Sequence, residues 1–174
     1  LNDLKRDKVD IFHGLSGELP FGISKTGIKS VVTIHDLIFR HYPQYYKPID
    51  RTIYDYKFRR ACHEADMVIA VSDCTKRDII SFYNIPEDKI VTIYQGCHPN
   101  FKAEPNAELI DEVKSLYNLP QRYIACVGTV EVRKNLLLIA KAMVYLPKDI
   151  HLIAVGRKTA YAKEVEDFCN KNGL

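Results

Sequence analysis

The sequence predicts an α/β protein with doubly wound parallel sheets, divided between two units that are both incomplete. Three observations carry that expectation. Short apolar runs rich in β-branched residues alternate with stretches whose apolar residues recur at helical steps. The alternation stops in a segment, Gln95 to Pro105, that holds a glycine, two prolines and no periodicity, and then starts again. A length of 174 residues with 47% hydrophobic content suits one domain or two small ones, and can bury a core.

Val9 to Phe12 is the first expected strand, and Lys29 to Ile34, with Val31, Val32, Thr33 and Ile34, is the second. A glycine-punctuated loop, Gly14 to Gly27, lies between them. From Asp50, the expected N-cap, the residues Tyr54, Phe58, Ala61, Cys62 and Ala65 recur at three- and four-residue steps and define a helix facing the core. Met67 to Val71 reads as a buried strand. Ser72 caps the next helix, which turns Ile79, Ile80 and Tyr83 inward and stops at Asn84 ahead of Pro86. Ile90 to Tyr94 is the last strand of a first unit, residues 1–98, and Gly96 is expected to supply a positive-φ turn. Residues 99–118 form a linker and a leading helix with Leu109, Ile110, Val113, Leu116 and Tyr117 on one face. The second unit, residues 119–174, follows as strand Tyr123–Val127, helix Asn135–Tyr145, strand Ile150–Val155 and helix Ala160–Asn172. It is cut short there. The opening lacks methionine and runs directly into a strand, so an internal piece of a longer protein is expected.

Composition narrows the function classes. The 25 Lys and Arg against 22 Asp and Glu are interspersed, which argues against a general nucleic-acid footprint. Cys62, Cys74, Cys97, Cys126 and Cys169 show no Cys-x-x-Cys pair and no zinc spacing, so free thiols and a reducing, cytoplasmic setting are expected. The longest apolar runs, Met67 to Val71 and Leu136 to Ala140, are too short to cross a bilayer. No strand is followed by G-x-G-x-x-G, which speaks against a nicotinamide dehydrogenase.

The stretch Val127-Gly128-Thr129-Val130-Glu131-Val132-Arg133-Lys134-Asn135 ends a strand in a glycine and then places two cations ahead of a helix. Free N–H groups and the dipole at a helix start favour an anion, and Arg133 and Lys134 add full charge there, so a phosphate site is one reading. A solvated loop with two ordinary surface cations is the other. His35 and Asp36 follow a strand at its carboxyl end, where ligands of open α/β sheets sit. A turn-capping Asp36 and a hydrogen-bonded His35 are the structural alternative.

The pattern Gly-Thr-x-Glu-x-Arg-Lys-Asn resembles the start of the second domain in glycosyltransferase family 4, whose GT-B fold pairs two Rossmann-like domains. Val31-Val32-Thr33-Ile34-His35-Asp36-Leu37, Ala65 to Ser72, Tyr83 to Ile90 and Tyr94-Gln95-Gly96 match that family's landmarks in order. Thr129 stands where many relatives carry arginine, and Gln95, Cys97 and His98 where Asn, an aliphatic residue and Asp are usual.

The resemblance implies a retaining enzyme using a UDP- or GDP-sugar as substrate, with no cofactor, and a saccharide or lipid-linked acceptor. It implies sugar contact by His35, a lesser role for Asp36, and donor binding around Gly128, Thr129, Glu131, Arg133 and Lys134, with Arg133 replacing the arginine missing at Thr129. Glu131 reads equally as a surface or dipole-facing acid. No Asp-x-Asp is present and Glu64-Ala65-Asp66 falls at a helix end, so no catalytic metal is expected. The family's N-terminal glycine loop and later Glu-x7-Glu motif are missing, which leaves a non-catalytic phosphate- or partner-binding module as the alternative. Tyr42, Tyr45, Tyr46, Tyr54, Tyr56 and Phe58 interleave with Lys47, Arg51, Lys57, Arg59 and Arg60. That combination reads either as peripheral membrane contact or as a solvated helix with aromatic core contacts.

Overall fold

The structure, a computed structural model, describes residues 1–174. The chain divides into two compact units, Leu1–His98 and Pro99–Leu174. In the first, α1 (Asn2–Arg6) precedes β1 (Ile11–Gly14), β2 (Lys29–Ile34), α2 (Ile38–His41), α3 (Pro48–Glu64), β3 (Met67–Ala70), α4 (Asp73–Tyr83) and β4 (Ile90–Thr92). All neighbouring strands pair parallel in the order β1-β2-β3-β4.

Strand register explains which residues are buried. Val32 aligns with Val68 and Ile90, and Ile34 with Ala70, so these side chains fall on one face and enter the core with Ile79, Tyr83, Ala61 and Cys62. Val31, Met67, Ile69 and Val91 fall on the other face and stay partly or fully exposed. Ser72 accepts from the Thr75 N–H at 3.1 Å and caps α4, and Asn84 at φ 54° ends it, both as the sequence predicts.

Several boundaries differ from the sequence expectation. The first strand lies two residues later, and the short α1 occupies the charged opening. α3 starts at Pro48, whose fixed φ suits a first helical position, so Asp50 sits inside the first turn instead of capping it. Ala61, Cys62 and Ala65 are buried and Phe58 packs on them, but Tyr54 reaches only the rim, tilted against Phe39 and Phe58. Gly96 is not among the glycines at positive φ, and an added Cβ there would meet nothing within 4 Å.

The second unit holds α5 (Ala107–Leu116), β5 (Arg122–Val127), α6 (Leu136–Met143), β6 (Ile150–Val155) and α7 (Tyr161–Lys171). β5 and β6 pair parallel from Arg122↔Ile150 to Val127↔Val155. Val130, Leu136, Ala140, Ala162 and Val165 form its core, with Leu152, Tyr161 and Phe168 packed around them. β5 is largely exposed, because a two-stranded sheet offers too few neighbours to cover both faces. The apolar face of α5, Leu109, Ile110, Val113 and Leu116, is likewise exposed. Asn106 caps α5 through its side-chain oxygen at 3.2 Å from the Leu109 N–H.

Candidate functional site

In the first unit the carboxyl ends of the strands gather several polar side chains. β2 ends at Ile34, which puts His35 and Asp36 at the sheet edge, both exposed. The loop after β1 folds back tightly. The Gly17 N–H donates to the Thr33 carbonyl at 3.0 Å, and the Gly14 backbone lies so close to the Glu18 carbonyl that a Cβ would come within 2.0 Å of that oxygen. This fold presents the Leu15 carbonyl to His35, whose Nε2 lies 2.9 Å away. A carbonyl only accepts, so that ring nitrogen carries the proton. Gln95 Nε2 lies 3.3 Å from His35 Nδ1, and the Thr75 hydroxyl donates to the His35 carbonyl at 3.1 Å.

Asp36 is engaged locally: Oδ1 accepts from the Ile38 N–H at 3.1 Å, starting the turn into α2. Two groups near this edge were not singled out from the sequence. His13, on β1, places Nε2 2.8 Å from the Thr33 hydroxyl. Tyr94 donates its hydroxyl to Asp73 at 2.9 Å, and hydrogen bonds from Thr92 and Tyr94 hold the Asp73 carboxyl below the usual carboxylate range. A histidine followed by glycine near a strand end was the available signal for His13; Asp73 gave none beyond its position after a cap.

In the second unit, β5 runs into Gly128, whose N–H donates to the Val155 carbonyl at 2.9 Å. Gly156, after β6, lies against Gly128 so closely that a Cβ would be 2.0 Å from its oxygen. Val130 is buried, its N–H donating to the Arg157 carbonyl at 2.9 Å and its own carbonyl accepting from the Thr159 hydroxyl at 2.6 Å. These bonds fix the turn on which Glu131, Arg133 and Lys134 stand. A 3₁₀ turn, Val132–Lys134, and Asn135 at φ 53° separate that turn from α6, where the sequence predicts the helix beginning at Asn135. Near the start of α6 the Leu137 N–H donates to the Tyr161 hydroxyl at 3.0 Å.

Arg133 pairs with Glu131 at 2.8 Å, both about one-third exposed, while Lys134 is exposed. Gly128, Thr129 and Lys134 border a hollow of about 30 Å³. Arg157 and Lys158, exposed and following Gly156, repeat after β6 the glycine-then-cation pattern and were not singled out from the sequence. Lys158 is committed to Glu166 at 2.6 Å. A larger groove, about 680 Å³, is bordered by Val130, Leu136, Met143, Leu152 and Val165. Its apolar lining is core, so it is the packing face of α6 and α7 on the sheet and not the charged turn.

The thiols are all free. Cys62 is buried, Cys126 and Cys169 are half-buried, and Cys74 and Cys97 are exposed. No helix is long and apolar enough to cross a membrane.

Comparison with known proteins decides the family. The description Glycosyltransferase Family 4 matches residues 1–101, more than half of the chain. The chain belongs to glycosyltransferase family 4. This family 4 chain is 30% identical over 152 residues to an O-antigen chain mannosyltransferase B of Escherichia coli, covering 84% of the chain and 38% of that protein. It is 26% identical over 147 residues to a serotype-specific mannosyltransferase WbdA of Escherichia coli, covering 82% of the chain and 18% of that protein. It thus spans well under half the length of the curated relatives it matches. Among solved structures, a glycosyltransferase from Rickettsia africae superimposes with a TM-score of 0.71 at 19% identity, over 99% of this chain and 46% of that one. A sucrose-phosphate synthase from Thermosynechococcus elongatus gives 0.71 at 17%, over 99% and 45%. Anabaena HepE in complex with UDP-glucose gives 0.65 at 17%, over 84% and 39%. These likenesses show the GT-B type of fold, α/β with parallel sheets.

Proposed function

We propose that the intact protein is a retaining glycosyltransferase, moving a sugar from a UDP- or GDP-sugar to a saccharide or lipid-linked acceptor during polysaccharide assembly. Family membership supports sugar transfer, and the names of the two Escherichia coli relatives make mannose the first sugar to test. The observation that carries the reading is the braced turn after β5, which presents Arg133 and Lys134, with Lys134 bordering the same small hollow as Gly128 and Thr129. As the glycosidic bond breaks, negative charge grows on the leaving diphosphate. Fixed cations there stabilise the transition state more than the ground state. Arg133 suits a two-oxygen grip and Lys134 a point contact. Glu131 acts by presenting Arg133, since a carboxylate facing phosphate would repel it. His35 contacts the donor sugar, and Asp36 shapes the turn beside it. No carboxylate pair suited to a double displacement stands out, so attack on the sugar's front face, with the leaving phosphate taking the acceptor's proton, is the route proposed.

Lys134→Met in the intact enzyme is expected to lower donor kcat/KM roughly tenfold or more, the scale of one charge-assisted hydrogen bond, with acceptor KM unchanged. Unchanged donor kinetics would refute the phosphate assignment. Turnover is expected without divalent metal, and dependence on Mg²⁺ would contradict that. Donor hydrolysis by this chain alone, set against the intact enzyme, separates transfer from a non-catalytic phosphate- or partner-binding module.

A peripheral membrane contact is the second proposal, favoured by one observation. Ile49, Ile53 and Tyr56 lie at helical spacing on α3 and are 74%, 45% and 59% exposed, and in the segment before α3 Tyr42 and Tyr45 stack on each other and Lys47 is exposed. Sedimentation with vesicles containing anionic lipid, lost in Ile49→Ser with Ile53→Ser, is the expected result; equal sedimentation of both proteins would end it.

A further inference from the structure

Three facts meet at His35. Its Nε2 proton is committed to the Leu15 carbonyl at 2.9 Å, its Nδ1 faces Gln95 Nε2 at 3.3 Å, and both side chains are exposed at the carboxyl edge of the sheet. On a neutral ring protonated at Nε2, Nδ1 holds a lone pair, so the Gln95 amide is the donor between them. We propose that Gln95 is a specificity-determining residue which, with His35, reads one hydroxyl of the bound sugar; this rests on the glycosyltransferase reading above.

The chemistry of the pair matches a hydroxyl. His35 Nδ1 offers one acceptor and the Gln95 amide offers one donor, the two complements of an O–H group. Their contact is long for a nitrogen–nitrogen hydrogen bond, and Gln95 is an exposed, flexible side chain. Moving the amide back by roughly 1.5 Å admits an oxygen that donates to Nδ1 and accepts from Nε2 at ordinary lengths. Leu15 prevents the ring from offering its other nitrogen, so His35 acts here as an acceptor only. Asparagine at position 95 would be shorter by one carbon–carbon bond, about 1.5 Å, and would not reach Nδ1 directly in the empty site. Glutamine closes that contact and, by drawing back, admits the hydroxyl.

The test uses the intact enzyme with sugar nucleotides that each lack one ring hydroxyl, comparing wild type with Gln95→Met, which keeps the length and removes the amide. For one hydroxyl position, wild type should lose at least about a hundredfold in kcat/KM on the deoxy donor, as sites built to bond a hydroxyl do. Gln95→Met should lose about three- to tenfold on the parent donor, the worth of one hydrogen bond, and nothing further on that deoxy donor. Equal losses on every donor, or none on the parent, would overturn the proposal. In the unliganded protein, the ¹⁵N resonance of His35 Nδ1 should move toward that of an unbonded lone pair in Gln95→Met while Nε2 stays protonated; an unmoved resonance would overturn the pairing. Lack of turnover with any sugar nucleotide would refute the glycosyltransferase reading and this ligand with it, and the ring resonance would still report on the pair separately.

Discussion

Replacing Gly14 by alanine tests the link between the β1 loop and His35. The new Cβ would stand 2.0 Å from the Glu18 carbonyl oxygen and 3.1 Å from Leu19 Cδ2, and the nearer atom is backbone. The carbonyl oxygen cannot yield as a side-chain tip would, so the loop must lift by over about 1 Å to reach ordinary contact. Overpacking of this kind costs about 1–3 kcal/mol. Lifting also breaks the Gly17 N–H bond to the Thr33 carbonyl, a net loss of about 1 kcal/mol. The total expected is about 2–4 kcal/mol, read as a lower urea midpoint at unchanged slope. Gly96→Ala is the control, because it has open space and no positive φ, and should fall within about 0.5 kcal/mol of wild type. The same lift draws the Leu15 carbonyl off His35, so the ring resonance of His35 should shift together with stability. A Gly14→Ala protein as stable as the Gly96→Ala control would show that the loop is not braced as described.

Burial pushes the Cys62 thiol from 9.0 up to about 12. The folded chain therefore keeps a proton that the unfolded chain releases near pH 9, and stability falls as pH rises between those values by up to about 1.4 kcal/mol per pH unit. Tyr83, also raised by burial, adds a loss of the same sign, whereas Lys89, lowered by burial, opposes it. Urea midpoints at pH 8.5, 9.5 and 10.5 should fall less steeply for Cys62→Ala, and parallel lines would refute this. Asn84, left-handed at the end of α4, should lose about 1 kcal/mol on change to alanine and almost nothing on change to glycine; equal midpoints for the two variants would count against the left-handed cap. If Glu131 works through Arg133, Arg133→Ala should raise donor KM about tenfold or more, Glu131→Ala a few-fold, and the double variant no more than Arg133→Ala. Additive effects would show Glu131 acting on its own.

The strand and helix order was legible because each segment carried its own local signal. The β-branched run of β2 and the Ser72 cap needed no tertiary context. What failed were statements about depth. Periodicity places Tyr54 on the core-facing side of α3 and gathers one apolar face on α5, yet both are exposed, since periodicity names a face without saying what covers it. The sequence starts the helix at Asn135, directly after the two cations; nothing in it marks Asn135 as left-handed or Val132–Lys134 as a 3₁₀ turn. At the candidate site, His35 and the Arg133–Lys134 turn were visible as residue types at strand ends. His13, Gln95 as partner of His35, and Arg157 were not, because each gains meaning only from a neighbour 20 or more residues away.

Parallel pairing explains why the chemistry gathers where it does in each unit. When all strands point one way, every strand exits at the same edge, so the end of β1 brings His13 to Thr33, and the segments after β2 and β4 bring His35 and Gln95 together. The segments after β5 and β6 do likewise, with Val130 bridged to Lys158. The opposite edge of the four-stranded sheet carries a different kind of cluster. There Asp66 accepts from the Ser30 N–H at 2.8 Å and the Ser30 hydroxyl at 3.1 Å and pairs with Lys29 at 3.2 Å, which holds its carboxyl below the usual range. Those bonds tie the start of β2 to the start of β3. At the exit edge of each sheet, loops carry exposed side chains, His35 and Gln95 in the first unit and Lys134 in the second, and close backbone approaches at Gly14 and Gly156 hold those loops. Strand-tying bonds at one edge and side chains carried on loops at the other are what a sheet needs if one end fastens the strands and the other meets a substrate.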